Sequence, residues 1–333
     1  MLPYAKPVLK WAGGKRQLIS QIDEHLPPEI SEGKITTYVE PMVGGGAVFF
    51  HMKRKYGNQI KKYYISDYNW DLFVLYRVIQ ERVNDLITEL ISMSTDYLKA
   101  PPTQQGEKEG ERIRIYGEFR TEYNKDSWDK ERYMEDGITL KTSINDKWVR
   151  RAALTVFLNR TCFNGLYRVN SSGKFNVPHG RYNKPDIVGS DNLRAVSKAL
   201  KGVEISVGSY ESNLDVVAIN PKRTFVYFDP PYRPLPDTPS FKDYHKAPFG
   251  DDEQELLAKK FEELNDKDAK LMLSNSDPKN TDESDDFFDD LYDHKDFTVH
   301  RVKARRAINS NGKKRGEISE ILVTNYEVDT DGS

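Results

Sequence analysis

One continuous apolar run ends abruptly in prolines, in the stretch "TFVYFDPPYRP" at residues 224–234. Residues 225–228 are aromatic or β-branched without polar alternation, which predicts a fully buried central strand. The two prolines end that strand, since proline lacks an amide proton, fixes φ and holds the residue before it in extended geometry. The sequence therefore predicts a stiff loop with the Asp229 carboxylate at its base, carbonyls outside any ladder, and the Tyr232 ring at its tip.

The flanking segments alternate between strands and helices. "KITTYVEPMVGGGAVFFHMKRK" reads as strand, glycine turn and helix, and "KKYYISDYNWDLFVLYRVIQERVNDLITEL" as a strand ending near Asp67 and a long helix. The alternation resumes with "DNLRAVSKAL", "VEISVGSY", "TFVYFDPPY", "DDEQELLAKKFEELN" and "AKLMLSNSD", and "ISEILVTNYEV" is a closing strand. This order is typical of a doubly wound α/β domain.

The alternation is interrupted at residues 91–185. This segment is polar, with helical pieces such as "RIRIYGEFRTEYN" and "DKWVRRAALTVFLNRT", and "LYRVNSSGKFNVPHG" predicts a β-hairpin that turns at residues 171–173. We therefore expect one α/β domain formed by residues 1–90 and 186–333, with a mostly helical lobe inserted at 91–185.

Composition limits the class of protein. The chain has 333 residues, of which 37% are hydrophobic and 31% charged, with a net charge of −2. No apolar run approaches the length of a membrane span, and the first residues lack the apolar stretch of a signal peptide. Cys162 is the only cysteine, which excludes an internal disulfide and a cysteine-rich zinc site. We expect a soluble cytoplasmic protein without a membrane partner.

Charge is distributed unevenly near the C-terminus. Residues 301–315 carry seven basic and no acidic residues, whereas residues 277–296 carry nine acidic ones. The basic run could be an ordinary solvated face. Alternatively it is a phosphate-contacting loop, which would include Arg305 and Arg306, with the acidic segment turned away from the polyanion.

A glycine turn and an aspartate indicate a nucleoside site. Glycines at residues 44–46 let a ligand approach the backbone at a helix N-terminus. The turn is not a dinucleotide fingerprint, because Phe49 occupies the position of the third glycine. Asp67 ends the next strand, where it can accept hydrogen bonds from ribose hydroxyls. The alternative is a tight structural turn with a surface aspartate.

The proline-terminated loop fits a flat exocyclic amine such as N6 of adenine. The lone pair of that amine is conjugated into the ring, which makes it a poor nucleophile. Asp229 and the carbonyl of Pro230 can each accept one N–H, draw the nitrogen toward tetrahedral geometry and stabilise its developing positive charge. Tyr232 can stack on the base. The alternative is an ordinary strand that prolines terminate.

Several separated motifs carry a family resemblance: "KWAGGKRQL", "YVEPMVGGGAVFF", "ISDYN", "LNRTCFNGLYRVNSSGKFNVPHGRYNKP", "VYFDPPYRPL", "MLSNSD" and "RGEISEILVTNY". In these motifs and their order the chain resembles the Dam-type (class alpha, D12) DNA adenine-N6 methyltransferases, most closely the GATC methylases of restriction–modification systems. The resemblance implies a Rossmann-like methyltransferase domain with an inserted target-recognition lobe. It also implies double-stranded DNA as partner, GATC as target and a cognate restriction endonuclease.

The resemblance also implies roles for individual residues. The adenine site would comprise Asp229, Pro230, Pro231 and Tyr232. S-adenosylmethionine would be bound by Trp11, Gly13, Lys15, Glu40, Pro41, Gly44, Gly46, Asp67, Ser209, Tyr210 and Asp229. DNA would be contacted by Lys10, Phe163, Asn164, Leu166, Arg168, Asn170, Pro178, Tyr182, Arg305 and Arg306. Ser209 stands where close relatives often have an acidic residue.

Among the DNA residues, the resemblance assigns base reading to Lys10, Arg168, Pro178 and Tyr182, and invasion of the base stack to Phe163, Asn164 and Leu166. An adenine inside a duplex must flip to reach a buried site, and an aromatic wedge offsets part of that cost. Simpler readings are a core position for Phe163 or Trp11 and a surface ion pair for Arg168. Lys15 at a helix start is electrostatically unfavourable, which favours a functional role.

We therefore expect a direct methyl transfer from S-adenosylmethionine to N6 of adenine, without a covalent intermediate and without a metal. Two other functions remain open from the sequence. One is an RNA adenine methyltransferase, against which the hairpin and the wedge argue. The other is a cofactor-dependent DNA-binding protein without turnover, against which the intact Asp-Pro-Pro-Tyr motif argues.

Overall fold

A computed structural model describes residues 4–11, 13–104, 106–125, 144–233, 249–292, 297–305 and 317–328. The chain divides into two compact units. The helical unit comprises Met1–Ala12 and Trp70–Lys201, and the sheet unit comprises Gly13–Asn69 and Gly202–Ser333. Among the described residues, no helix is both long and apolar enough to cross a membrane.

The elements alternate as the sequence predicts in the sheet unit. The strands are β1 Thr37–Glu40, β2 Lys62–Asp67, β3 Val203–Val207, β4 Thr224–Phe228, β5 Lys270–Ser276, β6 Thr298–Arg305 and β7 Glu317–Thr324. The helices are α1 Ile19–Glu24, α2 Pro28–Ser31, α3 Ala47–Tyr56, α4 Trp70–Lys99, α5 Glu111–Lys125, α6 Asp146–Thr161, α7 Ser190–Leu200, α8 Asp251–Asn265 and α9 Phe287–Tyr292. Helices α4 to α7 belong to the helical unit.

The seven described strands form one sheet in the order β3-β2-β1-β4-β5-β7-β6. The first five strands in this order are parallel, and β7 is antiparallel to both β5 and β6. The strand order reverses between β1 and β4, where Thr37 is in register with Thr224. In open α/β sheets, ligands bind beyond the carboxyl ends of the strands at such a switch point. The mixed α/β fold is confirmed.

Strand β4 is central, as its apolar sequence predicts. All five of its residues are buried, and it lies between β1 and β5. On one face, Phe228 packs against Phe261 of α8, which in turn contacts Tyr292 of α9. Because β4 is fixed on both edges and against α8, the residue that follows it, Asp229, leaves the sheet from a rigid base.

Buried polar contacts hold the helical unit together. Asp71 at the start of α4 pairs with Arg151 of α6 at 2.7 Å between Oδ1 and Nε. The hydroxyls of Tyr123 (2.5 Å) and Tyr167 (2.6 Å) donate to Oδ2 of the same carboxylate. The cluster joins α4, α5, α6 and the chain that follows α6. Arg151 holds the pKa of Asp71 below its usual value against the effect of burial.

The helical unit extends beyond residues 91–185, the predicted inserted lobe, which lies inside it. Helix α4 packs along α6 and α7, and α5 packs on α6. The buried face of α4 includes Leu72, Leu86 and Leu90. In the sequence, α4 follows a strand and α7 precedes one, which suggests that both helices pack on the sheet. In the structure their apolar faces pack against other helices.

The predicted hairpin is present in an irregular form. Within residues 144–233, Val169 pairs with Phe175 and Cys162 with His179 as isolated antiparallel bridges rather than as a continuous ladder. The turn is built on Asn170, whose Oδ1 accepts hydrogen bonds from the backbone amides of Ser172 and Lys174, both at 3.0 Å. Side-chain bonding of this kind replaces ladder bonds at a turn.

Candidate active site

Three acidic residues lie at the carboxyl edge of the parallel sheet. Glu40 ends β1, Asp67 ends β2 and Asp229 follows β4. Burial raises the pKa of Glu40 well above its usual value, and Asp229 and Asp67 add like-charge repulsion. Burial also raises the pKa of Asp67 to about 6. Perturbed carboxyl groups that interact at a switch point are typical of a functional site.

The predicted glycine turn and Asp67 form one structure. Gly44 and Gly46 have left-handed φ values of 48° and 75°, and Gly46 is the residue that caps α3. Asp67 Oδ2 accepts the Gly44 amide at 2.9 Å, and Oδ1 accepts the Asn69 amide at 2.8 Å. The turn therefore presents backbone groups at a helix start beside an anchored carboxylate.

The predicted residues Lys15, Asp229 and Tyr232 meet around the buried ammonium group of Lys15. Lys15 is 3% exposed, and its Nζ lies 2.6 Å from Asp229 Oδ1 and 3.0 Å from the Tyr232 hydroxyl. Nζ also donates to the carbonyl of Gly13 at 3.2 Å. Burial alone would lower the pKa of Lys15, but Asp229, Tyr232 and Glu320 together raise it well above the usual value. The ammonium group of Lys15 therefore stays protonated beside Asp229.

Asp229 is held through one of its two oxygens. Burial raises its pKa, while Lys15 and a hydrogen bond from Ser274 Oγ to Oδ1 (3.3 Å) oppose that rise. Ser274 is fixed in turn by the Tyr227 hydroxyl at 2.7 Å. Both contacts are made to Oδ1, and no described residue bonds to Oδ2. The side chain is 23% exposed, so Oδ2 is available as a hydrogen-bond acceptor.

The loop after Asp229 is fixed by residues that the sequence analysis did not single out. Gln254 of α8 donates to the carbonyl of Pro231 at 3.2 Å. Arg233 binds Asp251 through two hydrogen bonds (2.7 and 3.0 Å) and Asp285 through a third (2.6 Å). No described residue donates to the carbonyl of Pro230. The loop therefore presents that carbonyl on a backbone that is anchored on either side.

The remaining predicted cofactor residues lie along the same edge, with one exception. The loop after β3 contains Ser209, whose carbonyl accepts from Ser212 and Asn213, and Tyr210, whose ring contacts Phe249. The amide of Gly208 bonds to the Asp67 carbonyl at 3.2 Å, and the Pro41 carbonyl accepts from Ser66. Trp11 belongs to the helical unit, where its ring lies 4.9 Å from that of Tyr167.

A second group of predicted residues comes together in the helical unit. Lys10 Nζ lies 5.7 Å from the ring centre of Tyr182, and a side chain at Gly165 would clash with Lys10. Phe163 is 52% exposed, which contradicts a core position for its ring. The Phe163 amide bonds to the carbonyl of exposed Pro178 at 2.8 Å. The helical unit therefore presents the exposed ring of Phe163, while Lys10 lies over the ring of Tyr182.

The neighbouring predicted residues have local partners. Asn164 adopts a left-handed φ of 56°, which forms the sharp bend after Phe163. Leu166 is half-buried, and Arg168, also half-buried, donates from Nε to Asn176 Oδ1 at 2.8 Å. This contact aligns the guanidinium of Arg168 along the hairpin. Asn170 forms the turn described above.

The first residue of the basic run forms ion pairs with the acidic segment. Arg301 binds Asp277 at 3.1 Å and Asp289 at 2.6 Å, both in the acidic segment. The prediction of a loop from residue 301 is wrong for residues 301–305, which belong to β6, because this strand pairs with β7 along its whole length. Arg305 is the last residue of β6, and Arg306 lies outside the described residues.

Sequence comparisons agree with this geometry. The sequence profile of the D12 class of N6 adenine-specific DNA methyltransferases matches residues 11–308. A type II methyltransferase of Methanocaldococcus jannaschii, M.MjaIII, is 44% identical over 322 residues, which cover 96% of this chain and 99% of that protein. The DNA adenine methylase of Escherichia coli K12 is 33% identical over 315 residues, with 95% and 93% covered.

The family profile spans both units and includes the acidic sheet edge, the cluster around Asp229 and the exposed ring of Phe163. These matches confirm the resemblance that the motifs indicate, and they identify DNA rather than RNA as the substrate of the family. The reaction is a transfer from a methyl donor to adenine. The chain therefore belongs to the D12 class of N6 adenine-specific DNA methyltransferases, and it is a site-specific DNA adenine methyltransferase.

Proposed function

We propose that the enzyme transfers a methyl group from S-adenosylmethionine to N6 of a flipped adenine within GATC in double-stranded DNA. The observation that carries the proposal is the cluster around Asp229. Lys15 binds Oδ1 and opposes protonation of the carboxyl, while Oδ2 and the carbonyl of Pro230 have no described donor. Two rigid acceptors at the end of a buried strand match the two N–H groups of an exocyclic amine.

In this proposal, Asp229 and Pro230 act on the amine by accepting its hydrogen bonds. Accepting both N–H groups turns the nitrogen lone pair away from the ring and toward the methyl group. The acceptors are already in place, so they stabilise the positive charge on N6 without reorganisation. The carboxylate of Asp229 is the nearest base for the proton that N6 then loses. Tyr232, which is 37% exposed, provides a surface on which the base stacks.

The residues of the sheet edge fit S-adenosylmethionine. When bound, this group supplies a methyl group carried on a positively charged sulfonium. The carboxyl groups of Asp67 and Asp229 favour a cationic ligand, and Asp67 can also accept hydrogen bonds from ribose hydroxyls. The left-handed turn at Gly44 and Gly46 leaves the backbone open to close approach. Roles for Trp11, Gly13, Pro41, Ser209 and Tyr210 stay predictions.

Replacing Asp67 with alanine is expected to weaken S-adenosylmethionine binding by roughly 10- to 100-fold, the effect of losing hydrogen bonds to a charged group. The Gly44 turn also loses its anchor. Isothermal titration calorimetry measures the affinity directly. Asp215→Ala, which changes an exposed aspartate of the same unit, is the control. Unchanged affinity in Asp67→Ala would remove Asp67 from the donor site.

The helical unit supports the DNA part of the proposal. Exposed Phe163 is suited to enter the base stack, since stacking of its ring offsets part of the cost of flipping, a few kcal/mol. Lys10, Pro178, Tyr182 and Arg168 would read bases, and Asn164 and Leu166 would fill the space that the adenine leaves. The similarity to a type II methyltransferase supports a cognate restriction endonuclease as functional partner.

Replacing Arg168 with alanine is expected to relax recognition at one guanine. A bidentate arginine–guanine contact contributes about 1–3 kcal/mol of discrimination, so the preference for GATC over a duplex changed at that base should fall by roughly 5- to 150-fold. Methylation rates on the two duplexes give the ratio. Lys174→Ala, which removes an exposed cation of the same hairpin, should leave this ratio unchanged. An equal loss on both duplexes in Arg168→Ala would indicate a phosphate contact instead.

Radiolabelled methyl transfer to short synthetic duplexes tests the target. One duplex contains a single GATC, and its companions differ from it at one base of that site. We expect transfer only to the first, with the label recovered as N6-methyladenine. Comparable transfer to a companion duplex would reject GATC as the target while keeping the adenine chemistry.

A further inference from the structure

Glu320 is a carboxylate that directly precedes an apolar run of the sheet. It lies on β7, in register with Ser276 of β5 and Val302 of β6, and it is 8% exposed. The three residues after it, 321–323, are completely buried and apolar. Because a buried carboxylate costs several kcal/mol unless it is well partnered, its contacts are informative.

Those contacts are made to the cluster at Asp229. Strand β7 is antiparallel to β5, so its first residues reach the edge at which the parallel strands end. The Tyr232 hydroxyl donates to Glu320 Oε2 at 2.9 Å and accepts from Lys15 Nζ at 3.0 Å. Lys15 Nζ lies 3.9 Å from Glu320, compared with 2.6 Å from Asp229. The phenol of Tyr232 is thus fixed on both sides, and Glu320 reaches Lys15 mainly through it.

We propose that Glu320 is a positioning residue for the methyl transfer, which holds the ring of Tyr232 in the orientation that receives the flipped adenine. This inference rests on the proposed function. The Tyr232 side chain can rotate about two bonds. Only one orientation of its ring presents a face to a base that is held by the acceptors of Asp229 and Pro230. The bond to Glu320 selects that orientation before the base arrives, which lowers the entropic cost of capturing it.

The same contact directs Lys15 to one carboxylate. Lys15 is buried between Asp229 and Glu320, and its shorter distance is to Asp229. The Tyr232 hydroxyl lies between Lys15 and Glu320 and gives the Glu320 carboxylate a hydrogen-bond donor. The ammonium group of Lys15 can therefore stay close to Asp229. Glu320 thereby supports the ion pair as well as the ring.

The test uses two duplexes. One carries 2-aminopurine at the target position, and its fluorescence rises when the base leaves the stack; the other carries adenine there and is used to measure kcat, because 2-aminopurine has no N6 amine. Glu320→Ala should reduce the flipped-base signal and lower kcat by roughly 10- to 100-fold, with S-adenosylmethionine affinity within about twofold. Glu320→Gln keeps an oxygen that can accept from the phenol and should restore most of both quantities. A signal and kcat in Glu320→Ala equal to those of the wild type would overturn the inference.

A double-mutant cycle separates positioning from a purely structural role. If Glu320 acts through the hydroxyl, Glu320→Ala should add little to the effect of Tyr232→Phe, which keeps the ring and removes only the hydroxyl. Additive losses would contradict the inference. If Glu320→Ala fails to fold, Tyr232→Phe still tests the inference. Tyr232 is partly exposed, so Tyr232→Phe should fold, and the inference requires that this variant flip the target base less than the wild type does.

The wild-type enzyme distinguishes failure of this inference from failure of the proposed function. If the wild type forms no N6-methyladenine in GATC duplexes, the proposed function fails whatever the variants do. If the wild type methylates and Glu320→Ala flips and methylates equally well, only the role of Glu320 fails.

Discussion

Asp229→Ala is expected to abolish methyl transfer, with a fall in kcat of roughly 10³-fold or more. Removing a single preorganised group that stabilises developing charge costs about 10²- to 10³-fold in comparable enzymes, and this change removes both an acceptor and a base. Binding of S-adenosylmethionine and DNA should change only a few-fold, since Asp67 and the helical unit are untouched. Single-turnover rates and separate binding titrations measure the two effects.

Asp215→Ala is the matched control for Asp229→Ala, because it removes an exposed carboxylate of the same unit and should leave the rate unchanged. Near-normal turnover in Asp229→Ala would contradict the mechanism. A loss of rate that is explained entirely by lost DNA binding would also contradict it, since Asp229 would then serve affinity rather than the transfer.

Lys15→Met is expected to lower the methylation rate at neutral pH by about 100-fold, comparable to the loss of one preorganised electrostatic partner. Burial raises the pKa of Asp229 and Lys15 opposes that rise, so removing the cation raises the pKa further. Only the ionised carboxylate of Asp229 can take up the proton of N6, and it is also the stronger hydrogen-bond acceptor. The acid limb of the pH–rate profile should therefore move to higher pH, and raising the pH should recover part of the lost rate.

Single-turnover rates across the pH range in which both proteins remain folded test this shift. Lys15→Arg keeps a cation at the site and should keep the acid limb close to that of the wild type, whereas Lys34→Met changes an exposed lysine and serves as the control. A Lys15→Met profile that is lower at every pH by the same factor would show that Lys15 acts on binding or folding rather than on the ionisation of Asp229.

Local sequence patterns predict the parts of the site that are local in the chain. The buried strand β4, the stiff loop after it and the glycine turn at the start of α3 follow from residue type and spacing. Asp67 could be placed beside that turn because parallel strands end at one edge. These predictions depend on backbone geometry that neighbouring residues determine.

The partners of the loop after Asp229 could not be predicted, because they come from distant segments. The residue that donates to Tyr232, Lys15, is separated from it by 217 positions. Glu320 and Ser274 lie within motifs that carry the resemblance, but nothing in their local sequence shows that they turn toward Asp229. Arg233 lies within the motif "VYFDPPYRPL", but its binding to Asp251 and Asp285 depends on how α8 and the acidic segment fold back.

Charge runs were the least informative pattern. The start of the basic run is an edge strand, and Arg301 is neutralised by Asp277 and Asp289. The basic sequence from residue 301 predicts a loop, whereas residues 301–305 pair with β7 as part of β6. The hairpin after α6 keeps the predicted turn, where Asn170 Oδ1 accepts two backbone amides, but within residues 144–233 its two arms pair only as isolated bridges.

The most direct test of the central claim maps the modified bases without assuming a target. Unmethylated duplex DNA is incubated with S-adenosylmethionine and either the wild-type protein or Asp229→Ala, and every modified base is located by single-molecule sequencing. We predict N6-methyladenine confined to GATC with the wild type and at most a trace of it with the variant after the same incubation. Adenine modified by the Asp229→Ala protein to an extent close to that of the wild type, or wild-type methylation on a base other than adenine, would contradict the assignment of Asp229 and Pro230 as the groups that act on N6.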